Sequence, residues 1–402
     1  MMNMGSTSEV VSNNIVLGWR LSSVSGWGIY GQNLTYQLKK KGRNPTVFLK
    51  PHLLDPSEHQ LKLIQPIIKK QTHLEPLHKK IGVLNFECPV LHALRNDFQP
   101  SLAEQPSIGK LNIAVIFFET SKISSQGLKR AREYDLVVTG SKWNEKILKK
   151  SGINNVINIQ QGVDTKIFYK KPKKNIFGDR FVIFSGGKLE YRKGQDIVVS
   201  AFKLFNQKYP NSLLIFSWEN QWNKIVQTLK HSQYTNGYPK LNDDGDLLID
   251  TWLLKNGLPN GSFINLGQLA NKKFPDLLSS VDMALFPNRC EPGTNLVAME
   301  SMSMGIPCII SANTGHLDIM SNETCYSLLN QRDVDPYQPY DHVDGWGESS
   351  MEEILDQMEK LYLDYNAAQK IGENASIYMK KYSWDNQVDK LLGAIDDLGG
   401  KN

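Results

Sequence analysis

Short apolar runs rich in valine, isoleucine and phenylalanine alternate along this chain with stretches whose apolar residues recur at helical spacing. Residues 14–19 (NIVLGW) predict a first strand, and residues 29–41 a helix whose basic end suits the negative pole of its dipole. Residues 46–49, 111–118 (LNIAVIFF), 135–139 (DLVVT) and 156–160 predict further strands, with helices around 128–134 and over 142–150. Strands this apolar, bounded by turn residues and separated by helices, imply a parallel sheet covered on both faces.

Residues 170–175 (KKPKKN) read as a solvated linker, and then the pattern restarts. Strands are predicted at 180–185 (RFVIFS), 212–217 (SLLIFS), 262–266, 283–286 and 307–311 (PCIIS), with helices at 194–209, 273–280 and 294–304. Residues 351–365, 367–380 and 385–398 are helical by their spacing. The expectation is two α/β sandwiches in tandem with a cleft between them. Open parallel sheets bind ligands at the carboxyl ends of their strands, so the two would share one site.

Composition narrows the class. A chain of 402 residues, 40% hydrophobic and 22% charged, has apolar mass for more than one core. A net charge of +5, from 46 basic and 41 acidic residues, does not argue for nucleic acid. No apolar run is long enough for a membrane span, and residues 1–14 lack the apolar core of a secretory signal. Cys88, Cys290, Cys308 and Cys325 are scattered, which argues against a zinc ribbon or a disulfide framework and for a reducing, cytoplasmic setting.

Three segments carry candidate chemistry. Gly26, Trp27, Gly28 and Gly31 lie in GWGIYG, which fits G-x-G-x-x-G. The dinucleotide fingerprint needs its first glycine directly after the strand and a carboxylate at the end of the second strand. Here the first strand stops early and the second ends in Leu49 and Lys50, which speaks against NAD. A glycine-rich loop opening a helix still offers backbone N–H groups, so Gly26, Trp27 and Gly28 are candidates for an acceptor or phosphate loop. The alternative is a plain tight turn. The second segment runs Gly186-Gly187-Lys188-Leu189-Glu190-Tyr191-Arg192-Lys193-Gly194, after a strand and before a helix. Glycines let a backbone approach a ligand, and cations beside them suit a diphosphate; the alternative is a solvated basic turn. The third begins Asn288-Arg289-Cys290-Glu291-Pro292-Gly293-Thr294-Asn295-Leu296 and enters a helix carrying Glu300. That helix start offers N–H groups to phosphate or a sugar hydroxyl. Glu300, among Val297, Ala298, Met299 and Met302, needs partners such as ribose hydroxyls unless it is an exposed helical glutamate.

On these residues the second half resembles the retaining glycosyltransferases of the GT-B fold, in the large family-4 group. That family has G-R-L, three residues, then K-G; here stand Gly187-Lys188-Leu189 and Lys193-Gly194. The resemblance implies that Lys188 and Lys193 hold the donor diphosphate with Arg192 as helper. The family's Glu-x7-Glu corresponds to Glu291 and Glu300, with one extra residue between them, so that the loop bulges or Glu291 is displaced. It implies that Glu291 contacts the donor sugar and Glu300 the ribose. Thr314-Gly315-His316-Leu317-Asp318 stands for the family's Gly-Gly-x-x-Glu and brings His316 toward phosphate or sugar. Gln161-Gly162-Val163-Asp164 with Phe168, and Ser383-Trp384, match its domain junction and the start of its last helix. The likeness covers about residues 155–395. In the first half only the architecture matches, and Glu119 in Phe117-Phe118-Glu119-Thr120 stands where related enzymes often carry a histidine.

The resemblance implies a GT-B fold of two Rossmann-like α/β/α domains. One spans residues 1–168, completed by a C-terminal helix at 385–402, and the other residues 175–380. It implies a cytoplasmic glycosyltransferase. A sugar would pass from a nucleotide diphosphate sugar, as co-substrate, to a glycan, lipid-linked or other hydroxyl acceptor, with retention. Lys188, Lys193, Glu291 and Glu119 would be catalytic. Gly186, Gly187, Arg192, Gly267, Gln268, Pro292, Gly293, Thr294, Asn295, Leu296, Glu300 and His316 would bind the donor, Gly267 and Gln268 at its base. No cofactor and no metal are expected. Residues 243–246 (DDGD) read as a solvated acidic loop, and His52, His59, His73, His78 and His92 lack ligand spacing. Basic patches at residues 39–43 and at the linker suit peripheral contact with anionic lipid. The base, UDP, GDP or ADP, stays open, as does the oligomeric state. An epimerase or phosphorylase on the same fold, and a non-catalytic nucleotide- or sugar-binding protein, are the other readings.

Overall fold

The computed structural model describes residues 14–400 except 24, 48, 53–57, 101–106, 219, 221 and 222. The polar leader and the side chains of His59 and His78 therefore lie outside what is described, apart from Asn14. The chain divides into two compact units. One holds residues 1–118, 122–162 and 384–402, the other residues 119–121 and 163–383.

The first unit runs β1 (Asn14–Leu17), α1 (Gly26–Lys40), β2 (Asn44–Val47), α2 (Glu58–Ile81), β3 (Leu84–Phe86), β4 (Val90–Arg95), β5 (Gln99–Pro100), β6 (Ser107–Gly109), β7 (Asn112–Ile116), α3 (Ser125–Ala131), β8 (Leu136–Thr139), α4 (Lys142–Lys150) and β9 (Val156–Asn158). Its sheet has the order β2-β1-β4-β7-β8-β9, all parallel, with β5 added antiparallel to β4. Two central pieces leave no clear sequence signal. Strand β4 (VLHALR) carries a histidine, His92, at an apolar position, where Asn112 bonds it at 3.2 Å. Helix α2 runs through Pro66 and Pro76, residues that normally interrupt a helical pattern.

The second unit runs β10 (Phe181–Gly186), α5 (Gln195–Lys208), β11 (Ser212–Ser217), α6 (Ile249–Lys255), β12 (Phe263–Asn265), α7 (Phe274–Leu278), β13 (Met283–Phe286), α8 (Leu296–Ser303), β14 (Cys308–Ser311), β15 (Tyr326–Leu328), β16 (Gln331–Arg332), β17 (Glu348–Ser349), α9 (Met351–Leu363) and α10 (Tyr365–Met379). Its parallel sheet has the order β12-β11-β10-β13-β14-β15. Apart from the edge strand β12, where Ile264 is exposed, the strands are largely buried on both faces, which explains their continuous apolar runs. The order reverses beside β10, so the loops after β10 and β13 leave the sheet at neighbouring positions. That is where such sheets bind ligands.

Helix α11 (Trp384–Gly399) belongs to the first unit, where Trp384, Val388, Leu391, Leu392 and Ile395 enter the core with Leu17, Tyr30 and Leu34. Its carboxylates face the end of α1. Lys40 meets Asp385 at 2.9 Å, Lys41 meets Asp389 at 2.6 Å, and Arg43 meets Asp396 at 2.6 Å. The basic patch at 39–43 is thus largely paired within the chain, at the surface. The lysine-rich linker is exposed, as its composition predicts, and its lysines pair within the chain as well. Lys170 pairs with Glu373, Lys174 with Asp276, and Lys173 with the buried Asp282. The acidic run around Asp243 and Asp244 is an exposed turn. Among the described residues no helix is long and apolar enough to cross a membrane.

Candidate functional site

The loop after β10 and the loop after β13 build one charged cluster. Gly187 takes φ 120° and Gly194 takes φ 73°, both in the region that favours glycine. A side chain on Gly194 would strike the Pro287 carbonyl, so glycine is what lets the two loops touch. Between the glycines, residues 191–193 form one 3₁₀ turn. That turn carries Lys193 to Glu291, Nζ to Oε1 2.5 Å, although the two lie far apart in sequence. Asn288 donates to the same carboxylate oxygen. Burial pushes the Glu291 carboxyl up, but Lys193 and then Arg192 overcome it and hold the group down at about 2. Glu291 is therefore a fixed anion, and the extra loop residue has not displaced it from the cations.

Arg192 is buried rather than open. Its guanidinium donates to Glu190 and, at 2.9 Å, to the Cys290 carbonyl, so it joins the two loops. Glu119 lies 3.7 Å from it, and Glu291 3.8 Å. Lys188 is the more open cation: its side chain keeps 39% of its surface, and its ammonium stands 3.5 Å from Glu190. The four residues expected to be catalytic, Lys188, Lys193, Glu291 and Glu119, thus gather around Arg192 and Glu190.

The predicted helix at 294–304 begins later, at Leu296. Asn295 takes the left-handed conformation (φ 61°) and caps α8, accepting from Ala298 N at 3.3 Å. This turn accommodates the extra residue between Glu291 and Glu300. Pro292, Gly293 and Thr294 are buried beneath it. A side chain on Gly315 would collide with the Gly293 carbonyl, so the loop after β14 is packed directly on this one. His316 is buried there with both ring nitrogens engaged. Nδ1 lies 3.1 Å from the Ser311 carbonyl, and Nε2 lies 3.0 Å from the Asn295 amide. A carbonyl can only accept, so the proton sits on Nδ1 and Nε2 accepts. Burial holds this imidazole down at about 4, which keeps it neutral. His316 supports Asn295 and has no ring nitrogen left over for phosphate in this arrangement.

Glu300 is buried and receives a 2.6 Å bond from the Asn271 amide. Burial pushes its carboxyl up to about 8, against the help of Asn271, so it is largely protonated at neutral pH. Gly267 and Gln268 follow β12. The Gly267 carbonyl accepts from Ser217 Oγ at 2.8 Å, while Ser217 O accepts from Gly187 N at 3.1 Å, tying this loop to the glycine loop. Gly186 is buried against Val297 at the start of α8.

Gly26, Trp27 and Gly28 lie in the first unit and form the first turn of α1 instead of a free loop. Ser25 Oγ caps that turn by accepting from Gly28 N at 3.1 Å. A side chain on Gly28 would clash with Ser22, and Trp27 packs edge-on to Trp19 and Phe117.

Sequence reasoning passed over Arg289. Its side chain is fully buried, forks onto Asp196 at 2.7 and 2.8 Å, and reaches Glu348 at 2.6 Å and the Tyr191 carbonyl at 2.6 Å. Nothing local marks it, because its partners come from α5 and β17. Asn271 was missed for the same reason. Among the described residues no group of three or more side chains is arranged to hold a metal ion.

Residues 166–339 match the family model described as glycosyl transferases group 1. No curated protein sequence matches. Solved structures share the fold over nearly the whole chain. A sucrose-phosphate synthase from Thermosynechococcus elongatus is 14% identical, with 97% of this chain and 100% of that one covered and a TM-score of 0.63. HepE from Anabaena, in complex with UDP and glucose, is 13% identical, with 96% and 99% covered and a TM-score of 0.63. A glycosyltransferase from Rickettsia africae is 12% identical, with 96% and 98% covered and a TM-score of 0.58. The fold is GT-B, and the second unit carries a match to the glycosyl transferases group 1 domain over residues 166–339.

Proposed function

We propose that this chain is a glycosyltransferase that moves a sugar from a nucleotide diphosphate sugar to a hydroxyl of a glycan or lipid-linked acceptor, with retention of configuration. The observation that carries the reading is the meeting of Lys193 with Glu291, with Lys188 more open beside them. The cations take the diphosphate, Glu291 takes sugar hydroxyls, and Glu300 takes the ribose. As the bond from the sugar carbon to the leaving phosphate oxygen breaks, the acceptor oxygen bonds to that carbon on the same face. The acceptor proton passes to the leaving phosphate oxygen. Lys188, Lys193 and the first turn of α8 stabilise the charge that develops. In this reading side chains meet the diphosphate charge, and neither a metal nor a further cofactor is called on. Glu119, beside Arg192, orients the acceptor hydroxyl. The Anabaena complex with UDP and glucose favours uridine diphosphate.

The test is a thermal shift of the full chain with UDP, GDP, ADP and NAD. A ligand at a hundredfold excess over its Kd stabilises the folded state by about 2.7 kcal/mol. One nucleoside diphosphate should raise the midpoint, and Lys188→Ala with Lys193→Ala should abolish the rise. No rise with any diphosphate, or a rise with NAD alone, overturns the reading.

A further inference from the structure

Strands β16 and β17 pair antiparallel and are joined by residues 333–347. A loop this long inside a compact unit is uncommon and usually has a task. Its interior is aromatic. Tyr340 meets Tyr337 edge-on at 5.4 Å and Trp346 at 5.2 Å, and all three residues are buried. Its return end is fixed: Arg289 holds Glu348, and Gly347 N donates to the Arg289 carbonyl at 3.0 Å. Just before that point the chain makes one tight turn. Trp346 N donates to the Val343 carbonyl at 2.9 Å, and Gly345 between them takes φ 87°, which favours glycine.

The turn brings Asp344 and Trp346 onto one short segment, residues 119–121, which belongs to the second unit. Trp346 Nε1 donates to the Glu119 carbonyl at 2.9 Å. Ser121 Oγ donates to Asp344 Oδ2 at 2.6 Å and accepts from Asp344 N at 3.0 Å. Ser121 N donates to the His342 carbonyl at 2.9 Å. None of these four bonds uses the Glu119 carboxylate, which stands 3.7 Å from Arg192. Tyr340 adjoins the same carboxylate: burial and then the Glu119 charge push its phenol up. Residues 119–121 lie in no strand or helix, so no regular element holds Glu119. The loop supplies that hold. A reacting group displaced by about 1 Å can lose roughly a hundredfold in rate, so such a hold bears on chemistry as well as on folding.

We propose that Trp346 and Asp344 are positioning residues for transfer: through the backbone of residues 119–121 they keep the Glu119 carboxylate beside Arg192, where it orients the acceptor hydroxyl. The role rests on the transfer reading above and deepens it.

The test follows turnover and backbone protection in the full chain. The donors are UDP-glucose, UDP-N-acetylglucosamine, GDP-mannose and ADP-glucose, with octyl β-D-glucoside or water as acceptor and release of the nucleoside diphosphate as readout. Asp344→Ala and Trp346→Phe should each lower kcat about ten- to a hundredfold and leave the donor KM in place. Asp344 is exposed, so its variant should keep the melting midpoint. Asp344→Asn retains an acceptor for the Ser121 hydroxyl and should restore kcat to within about twofold. In a Glu119→Gln background neither Asp344→Ala nor Trp346→Phe should cost anything further. Amide exchange over residues 119–122 should quicken about five- to tenfold in Asp344→Ala. Positioning is overturned by full turnover in both variants, by losses that add to that of Glu119→Gln, or by a donor KM that rises as kcat falls. It is also overturned by exchange that stays slow, or by Asp344→Asn as impaired as Asp344→Ala. Wild-type protein that releases no nucleoside diphosphate from any donor sinks the transfer reading and this role with it. Turnover in the wild type, matched by the variants, sinks the role alone.

Discussion

Each unit is tied together by ion pairs, and the two sets differ in kind. In the first unit Lys40, Lys41 and Arg43 meet Asp385, Asp389 and Asp396 at the surface, where the carboxylate side chains keep 43–60% of their area. In the second, Arg289, Asp196 and Glu348 are buried, as are Arg192, Glu190 and Glu291. Water answers the first set if a partner is lost, so each exposed pair contributes about 0–1 kcal/mol. Nothing answers the second set, and removing one partner strands a buried charge. The surface pairs help to register one helix on another. The buried network gives two loops a single arrangement, and those are the loops that carry Lys193 and Glu291.

The strongest way to break this contrast is Arg289→Met. It leaves the buried Asp196 without its cation and strips Glu348 of its buried partner, leaving only the more exposed Arg332, and should lower stability by about 3–5 kcal/mol. Urea denaturation reads it directly, and a loss below about 1 kcal/mol would show that water reaches the network.

Lys193→Ala should lower turnover by about a hundredfold or more, as loss of a group that stabilises leaving-group charge does. Unaltered kcat with a sugar donor of the nucleotide that the thermal shift identifies would remove Lys193 from the chemistry. Because Glu291 loses its ammonium, the melting midpoint should fall as well.

Glu300 sharpens the comparison through pH. Its folded-state pKa, about 8, lies above the ordinary 4.5. The folded protein therefore holds the proton where the unfolded chain has lost it. That contribution is fully present below about 4.5 and is lost as pH rises through about 8. Glu300→Gln should remove this slope, so that the variant gains on the wild type between pH 5 and 8 by on the order of a few kcal/mol. It should also weaken nucleotide binding. Parallel stability curves for the two proteins across that range would contradict the buried, protonated carboxyl.

The smallest effect is expected at the surface. Arg43→Ala should cost under about 1 kcal/mol, and added salt should erase the difference. A salt-independent loss larger than that would mean that the α1–α11 contact is drier than its exposure indicates.

The alternating elements were legible because their periods are local. The strand at 212–217 and the helix at 142–150 appear as the pattern predicts them. Helix α2 and strand β4 were not, since Pro66, Pro76 and His92 break the apolar periods and only packing overrules them. The glycine loop was placed correctly in the chain but misread in form: Ser25 caps α1 early enough to draw Gly26, Trp27 and Gly28 into its first turn. For the candidate site, cations and carboxylates at strand ends stood out as residue types. Their partners did not. Arg192 looked like a free helper and is a buried tie between loops, and His316 looked like a phosphate ligand and is spent on Ser311 and Asn295.

By itself the sequence determined the order of strands and helices and the positions of the glycine and glutamate loops, because both depend on residues that are neighbours in the chain. Only the tertiary structure decided that Lys193 closes on Glu291, that Arg289 spans Asp196 and Glu348, and that Glu300 keeps its proton. Those outcomes depend on which distant segment removes water from a charge, and solvation is a property of the packed interior rather than of any stretch of sequence.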